Sequence, residues 1–113
     1  YFSQQETPPS AFYCANDILA IGMLKYLAQS TNWYYHPSVI SSDNIVESQY
    51  TTPMLTTVSL PKAEMAHLAI QMLMDRMSGG HRAVVKTELQ CTLVIRQSVR
   101  QYVSTENEPE YYI

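Results

Sequence analysis

Two pairs of polar residues, Asn16-Asp17 and Asp43-Asn44, each follow a short strand-like segment of the sequence. An amide offers a hydrogen-bond donor and an acceptor, and a carboxylate offers acceptors, so together they suit the hydroxyl groups of a sugar or a similar polyol. The same residue types are strong helix N-caps, because a side-chain oxygen accepts an unpaired backbone N–H. The pattern favours capping for Asp17 and Asn44, and it leaves capping and ligand binding open for Asn16 and Asp43.

The histidines do not form a catalytic or metal-binding set. His36, His67 and His81 are predicted in a loop, on a helix and after a Gly-Gly stop, without a cysteine or carboxylate at metal-ligand spacing. We therefore expect surface histidines, no bound metal and no cofactor. The sequence also lacks glycine-rich phosphate loops and the GxSxG element of serine hydrolases.

The two cysteines, Cys14 and Cys91, do not form a CxxC pair. Each lies in an apolar, strand-like run, which predicts a small buried hydrophobic side chain. A doubly wound enzyme that uses Cys14 or Asp43 is one alternative function. Nothing close to Cys14 in the sequence would lower the pKa of its thiol, so we predict that the protein is not an enzyme.

The segments that position these residues alternate between strand and helix. Short apolar runs without alternation are typical of strands buried on both faces of a parallel sheet. The predicted fold class is therefore α/β, a mostly parallel sheet with flanking helices and right-handed crossovers. Ligands of such sheets bind beyond the carboxyl ends of the strands. The predicted strands are residues 11–15, 38–42, 55–60, 83–89 and 91–96, of which the last two could pair.

Apolar residues at three- and four-residue spacing predict two amphipathic helices, over residues 18–28 and 62–78. A short helical turn is predicted between them, over residues 45–50. Pro61 suits the start of the longer helix, and Gly79-Gly80 suits its end. The stripe expected to pack the first helix consists of Ile18, Ile21, Leu24 or Lys25, and Ala28.

The chain has 113 residues, with 7 Lys and Arg against 10 Asp and Glu, and a net charge of −3. An acidic balance argues against nucleic-acid binding by this segment, because phosphate contact needs clustered basic residues. Charged residues make up 15% of the chain, against about 25% in a usual globular domain, so we expect surface that another protein segment covers. No apolar run reaches membrane-helix length, and residues 1–6 are unlike a signal peptide. The sequence also begins without an initiator Met, so we expect the natural N-terminus upstream.

Five segments resemble motifs of the LacI/GalR family of bacterial transcription regulators. They occur in the family's order and at roughly its spacing, which makes the combination far more specific than any one motif. The segments are AFYCANDILAIG at 11–22, similar to AxxxANDxxAxG; SVISSDNI at 38–45, similar to VSVIGFDD; TPMLTTV at 52–58, similar to xxPPLTTV; PKAEM at 61–65, similar to xPxxEMG; and LVIRQS at 93–98, similar to LVxRxS.

The resemblance implies part of a periplasmic-binding-protein type I-like fold, in which a small-molecule effector binds between two α/β lobes. It also implies a homodimer that binds operator DNA through an N-terminal helix-turn-helix, which is absent from this chain. Residues 11–100 would be the C-terminal lobe of the effector-binding region, with helix 61–78 crossing toward the absent N-terminal lobe. We interpret residues 1–10 as a linker or incoming segment, and residues 101–113 as a tail.

The resemblance also assigns candidate site residues. Asn16 and Asp43 fall on effector-contacting positions, which usually bind sugar hydroxyls, and Leu60 falls on a position that often lines the cleft. In the family, the helix after Asn16 and the turn after Asp43 commonly form the dimer interface. The candidates for that interface are Ile21, Lys25, Glu47 and Tyr50.

The sequence therefore predicts the C-terminal effector-binding and dimerisation fragment of a cytoplasmic, sugar-responsive LacI-type repressor, with no membrane partner. Asn44 replaces the family's second aspartate and Ser42 replaces its aromatic residue, which leaves the identity of the effector open. The alternative is a type I periplasmic sugar-binding protein of a transport system, which shares the fold. A helix-turn-helix or a signal peptide upstream would distinguish the two.

Overall fold

The structure, a computed structural model, describes residues 6–30 and 35–101, which form a four-stranded sheet with accompanying helices. Neighbouring strands in the sheet follow chain order, β1-β2-β3-β4. The first three strands run parallel, and β4 is antiparallel to β3. The predicted α/β class with a mostly parallel sheet is confirmed. The strands are β1 (Ala11–Tyr13), β2 (Ser38–Ser42), β3 (Thr56–Ser59) and β4 (Thr92–Val94).

Strand β2 lies inside the sheet, and its residues alternate between the two faces. Val39 and Ser41 are fully buried, whereas Ile40, on the other face, is partly buried. Strand β1 lies at the edge and is mostly exposed, with Tyr13 at 65%. The predicted burial of the first strand on both faces is therefore wrong, because the described residues leave Ala11 and Tyr13, on one face of β1, uncovered.

Helix α1 (Asp17–Gln29) packs on the sheet and supplies half of a small hydrophobic core. Partly buried side chains, among them Cys14, Met23 and Leu27, pack around this core. At about 25 cal/mol for each Å² of apolar surface removed from water, burying these side chains favours folding. The buried members of the core are Ala20, Leu24, Val39 and Leu55.

The stripe predicted to pack helix α1 is partly wrong. Leu24 is buried and Ile21 packs beside the core, but Ile18 is 65% exposed and Ala28 is exposed as well. The cause is Asp17, whose buried carboxylate bonds to the sheet. Residues three and four positions apart share one face of a helix. Because Asp17 contacts the sheet, the face that also carries Ala20 and Leu24 is turned toward the sheet.

The connection from β2 to β3 contains a 3-10 helix, Val46–Gln49, at the place of the predicted turn. The connection begins with two residues in the left-handed region, Asp43 with φ 118° and Asn44 with φ 48°. Asn and Asp tolerate positive φ better than other non-glycine residues. Their side-chain type therefore suits the sharp change of direction that follows β2.

Helix α2 (Lys62–Met77) forms where the apolar spacing predicts it. Gly79 follows with φ 80°, the left-handed conformation in which many helices end. None of the residues of α2 is buried. Four of them form an exposed apolar stripe, at 59–78% exposure, which we call the α2 stripe: Ile70, Leu73, Met74 and Met77.

Residues 83–89 do not form the predicted strand. Strand β4 pairs with β3, so the predicted pairing between 83–89 and 91–96 is wrong too. An alternating sequence becomes a strand only where another strand satisfies its backbone N–H and C=O groups, and Val84 is 92% exposed here. Cys91, predicted to be buried, is exposed.

No helix in the described ranges is long and apolar enough to cross a membrane. Residues 6–10, in the predicted linker, contain neither helix nor strand. The remaining parts of the predicted linker and tail, residues 1–5 and 102–113, lie outside the described residues.

Candidate functional site

The three parallel strands end at one edge of the sheet, and the predicted effector residues follow them there. Asn16 comes shortly after β1, Asp43 directly after β2 and Leu60 directly after β3. Parallel pairing of β1 with β2 and of β2 with β3 brings these positions to the same edge. All three residues are partly buried, so none of them is sealed inside the sheet.

Asn16 is the N-cap of helix α1. Its Oδ1 accepts a hydrogen bond from the backbone N–H of Leu19 at 2.9 Å, which satisfies one of the unpaired N–H groups of the first turn. The cap uses the oxygen of the amide, so the nitrogen remains as the donor that Asn16 can offer to a ligand. Capping and binding therefore need different atoms of this side chain.

Asp43 lies in the left-handed turn after β2. Its backbone N–H donates to the carbonyl oxygen of Val58 on β3 at 2.9 Å, which anchors the turn. Within the described part of the chain, its carboxylate makes no hydrogen bond or ion pair. The turn thus combines an anchored backbone with an acid whose acceptor oxygens are unused.

Asp17 does not cap helix α1, contrary to its predicted role; it lies fully buried beside the edge. Its Oδ1 accepts hydrogen bonds from Ser41 Oγ at 2.5 Å and Thr57 Oγ1 at 2.6 Å, and its Oδ2 accepts one from the Ile45 N–H at 2.9 Å. Three donors at the positive end of a helix offset the cost of burying the charge. Asp17 therefore joins α1 to β2, to β3 and to the connection that carries Asp43.

Arg96, which follows β4, holds the same connection from another side. Its Nη1 donates to Ser48 Oγ at 2.9 Å and to the Leu55 carbonyl oxygen at 2.7 Å, and its Nη2 donates to Asn44 Oδ1 at 2.8 Å. The sequence reasoning missed this role. The available signal was the position of Arg96 in segment 93–98, one of the five family-like segments.

Asn44 does not cap the 3-10 helix, which has no side-chain cap, so that prediction is also wrong. Its amide joins Arg96 to β3 instead, because Nδ2 donates to Ser59 Oγ at 3.2 Å. The backbone N–H of Asn44 donates to Thr57 Oγ1 at 3.3 Å, and Thr57 donates in turn to Asp17. Asn44 and Thr57 therefore link the guanidinium of Arg96 to the carboxylate of Asp17, through the side chain and backbone of Asn44 and the hydroxyl of Thr57.

Ser98 fastens β2 to β3 near their amino ends. Its Oγ donates to the Val39 carbonyl oxygen at 2.6 Å and accepts from the Thr56 N–H at 2.8 Å. Its own carbonyl oxygen accepts from the Val39 N–H at 2.8 Å. The segment after β4 therefore stabilises both ends of the strands that carry the site.

An aromatic ring that sequence reasoning missed also lies at this edge. Tyr13 is the last residue of β1 and is 65% exposed, and its hydroxyl lies 2.7 Å from Oγ of Ser42, the last residue of β2. Ser42 stands where the family resemblance expects an aromatic residue, so β1 provides a ring beside the position where β2 lacks one. A ring face is an apolar platform that complements the hydrogen-bonding groups of the edge.

The four residues predicted at the dimer interface lie on α1 and on the connection after β2. Lys25 and Glu47 are exposed, and Tyr50 is 76% exposed. Ile21 is partly buried because it packs against the core, which leaves less of its side chain for a partner. Their role in dimerisation stays a prediction.

The surroundings of Cys14 in the described part of the chain do not activate its thiol. Burial raises the pKa of the Cys14 thiol, and Cys14 Sγ lies 4.0 Å from Met23 Sδ. Since the thiolate is the nucleophile, the raised pKa argues against a nucleophilic Cys14. The described residues contain no group of three or more His, Cys, Asp or Glu side chains that could hold a metal ion.

A parallel sheet whose carboxyl edge carries polar residues is typical of ligand-binding α/β lobes. The family described as periplasmic binding protein-like domain matches residues 2–99. The chain belongs to this family. It is also similar to the HTH-type transcriptional repressor CytR of Escherichia coli K12, at 35% identity over 94 residues, which cover 82% of this chain and 28% of CytR.

Two solved structures show the same architecture. A transcriptional regulator LacI from Bacillus cereus matches with a TM-score of 0.79 and 20% identity, covering 89% of this chain and 36% of that one. A LacI family transcriptional regulator from Enterococcus faecium, with bound ribose, matches with a TM-score of 0.65 and 27% identity. The match covers 82% of this chain and 35% of that one. These comparisons confirm the resemblance to the effector-binding region of LacI-type regulators. The chain spans about 28% of the length of CytR.

Proposed function

We propose that this chain is the C-terminal effector-binding and dimerisation part of a sugar-responsive, LacI-type, DNA-binding transcriptional repressor. The observation that carries the proposal is the placement of Asn16 and Asp43 at one carboxyl edge of the sheet, in a chain related to a named repressor. The same relationship favours a regulator over a transport receptor, and a regulator over an enzyme. A cytoplasmic location follows from the proposed contact with DNA.

A sugar is the effector class that fits the edge. The unused carboxylate of Asp43 accepts hydrogen bonds from hydroxyls, and the amide nitrogen of Asn16 donates to their oxygens. The exposed ring of Tyr13 and the apolar side chain of Leu60 suit the less polar face of a sugar ring. The Enterococcus faecium regulator with bound ribose supports the same class.

The proposed mechanism couples this edge to DNA through closure of two lobes. The effector would bridge the edge and an N-terminal lobe toward which helix α2 crosses, and it would favour the arrangement to which it binds more tightly. A homodimer, formed through Ile21, Lys25, Glu47 and Tyr50, would pass that change to N-terminal helix-turn-helix heads on operator DNA. The effector and DNA then influence each other's affinity reciprocally.

The proposal predicts that Asp43→Ala weakens sugar binding to the intact regulator. We expect the affinity for ribose to fall at least about tenfold, the effect of losing about 1.4 kcal/mol of hydrogen bonding to a charged group. Calorimetric titration with ribose measures the affinity, and fluorescence anisotropy of labelled operator DNA measures the response. Sucrose and cellobiose serve as further probes in the same assay.

Glu6→Ala is the matched control, because it also removes one carboxylate, from an exposed position. We expect it to leave sugar affinity and the operator response unchanged. An Asp43→Ala regulator that binds each sugar and releases operator as the unmodified protein does would contradict the effector assignment. A regulator that binds none of the three sugars would contradict the sugar class.

A further inference from the structure

Asn44 uses both polar atoms of its side chain, and its backbone N–H, inside the protein. Its Oδ1 accepts from Arg96, its Nδ2 donates to Ser59 and its backbone N–H donates to Thr57. These contacts reach one residue after β4 and two residues of β3. The left-handed turn after β2 is therefore tied on one side to β3 and on the other to the segment after β4.

The guanidinium that holds Asn44 is itself held in place. Arg96 donates from Nη1 to both Ser48 and the Leu55 carbonyl oxygen, and no carboxylate among the described residues lies within ion-pair distance of it. Arg96 is also partly buried. A guanidinium with three hydrogen bonds committed to the protein serves as an anchor for the amide of Asn44.

Asp43 is the contrasting neighbour. It shares the left-handed turn with Asn44, but its carboxylate has no partner among the described residues. Its direction therefore depends on the backbone of the turn, because no side-chain contact fixes it. The backbone of the turn is fixed by the hydrogen bond from the Asp43 N–H to Val58 and by the contacts of Asn44.

We propose that Asn44 is a positioning residue for the effector site: fastened by Arg96 and Ser59, it sets the direction of the Asp43 carboxylate without contacting the effector. This inference rests on the proposed function. The Oδ1 of Asn44 is the atom that matters most, because its donor is charged.

The test compares two replacements of Asn44 in the intact regulator. Asn44→Gly keeps the backbone free to adopt positive φ but removes the amide, and we expect ribose affinity to fall at least about tenfold. Asn44→Asp keeps an acceptor for Arg96 and tolerates positive φ, so we expect it to bind ribose within about threefold of the unmodified protein. Calorimetric titration measures both affinities.

Val39→Ala separates positioning from general stability. It opens a cavity in the core and lowers the midpoint of thermal unfolding, but we expect ribose affinity to stay unchanged. Ser59→Ala removes only the acceptor of Asn44 Nδ2. If Asn44→Gly does not fold, the ribose affinity of Ser59→Ala is measured in its place. For Ser59→Ala we expect a threefold or larger loss of affinity, about 0.65 kcal/mol.

The outcomes separate this inference from the proposed function. If Asp43→Ala abolishes ribose binding while Asn44→Gly and Ser59→Ala bind as the unmodified protein does, the positioning role is wrong and the proposed function stands. If Asn44→Asp binds as poorly as Asn44→Gly, the anchoring by Arg96 is wrong. If the unmodified regulator binds no sugar, or Asp43→Ala binds normally, the proposed function fails and this inference fails with it.

Discussion

Asn16 and Asp17 are adjacent residues with similar capping chemistry, yet the structure gives them different tasks. Asn16 caps α1, and Asp17 forms a buried link to the sheet. Local sequence predicts that a cap exists at this point but not which residue forms it. The donors that decide the matter, Ser41 and Thr57, are 24 and 40 residues further along the chain.

At the residue scale, Asp17 is predicted to be among the largest side-chain contributors to stability. Asp17→Ala leaves three donors without their acceptor and should lower the free energy of unfolding by about 3 kcal/mol. Urea denaturation followed by circular dichroism measures the change. Glu88→Ala, at an exposed position paired with Lys86, is the control and should cost less than about 0.5 kcal/mol. Equal losses for the two variants would contradict the role of Asp17.

The candidate site shows the same limit of local sequence. Polar residues follow both β1 and β2, and the carboxyl ends of parallel strands lie at the same edge of a sheet. The sequence is therefore sufficient to predict that Asn16 and Asp43 lie at the carboxyl edge. Arg96 could not be predicted in the same way. Its partners Ser48 and Asn44 are 48 and 52 residues away, and only the fold brings them together.

At the scale of elements, the predictions of both α-helices are confirmed, and the predicted strand over 83–89 does not form. A helix satisfies its own backbone hydrogen bonds, so residue spacing and end signals largely define α1 and α2. A strand depends on a partner, and β3 has its free edge occupied by β4. The alternation of apolar and polar residues over 83–89 is therefore not sufficient to form a strand.

The end of α2 is stabilised by a pair of side chains with a predictable pH dependence. The hydrogen bond from His81 lowers the pKa of Asp75, with Nδ1 of His81 2.5 Å from Oδ2 of Asp75. A lowered pKa means that this contribution to stability is present above the ordinary pKa of aspartate and is lost as the pH falls through the lowered value. We expect His81→Ala to raise the pKa of Asp75 toward its ordinary value, as measured by NMR titration of the carboxyl carbon.

Gly80 offers a second way to break the same pair. A Cβ at this position would lie 2.1 Å from Oδ1 of Asp75, so Gly80→Ala should push the carboxylate away from His81 and raise the pKa of Asp75 as well. His67→Ala, on the same helix, is the control and should leave that pKa unchanged. If the pKa of Asp75 does not move in either His81→Ala or Gly80→Ala, the hydrogen bond is not its cause.

At the scale of the whole molecule, the α2 stripe is a departure from a self-contained domain. The four residues of the stripe follow one another at helical spacing, and none of them is buried. Contiguous exposed apolar surface of this kind drives association. The low fraction of charged residues, 15%, predicts such a surface from composition, although not its place in the fold.

We therefore predict that the 113-residue chain self-associates and that the α2 stripe is the cause. Leu73→Lys interrupts the stripe and should lower the weight-average mass measured by sedimentation equilibrium. Gln71→Lys adds the same charge at an exposed polar position of the same helix and should leave that mass unchanged. A Leu73→Lys chain that associates as strongly as the Gln71→Lys chain would show that another surface is responsible.

During synthesis on the ribosome, Arg96 is added after all of the candidate effector-binding residues. A nascent polypeptide that has reached Leu60 already contains Asn16, Asp43 and Tyr13, but it lacks the guanidinium that braces the turn between β2 and the 3-10 helix. Under the proposed function, sugar recognition would therefore mature only after β4 and Arg96 have emerged. Under the same proposal, a premature stop codon anywhere from position 61 to 95 would leave Asn16, Asp43 and Leu60 encoded but would remove Arg96, and the response to the sugar would be lost.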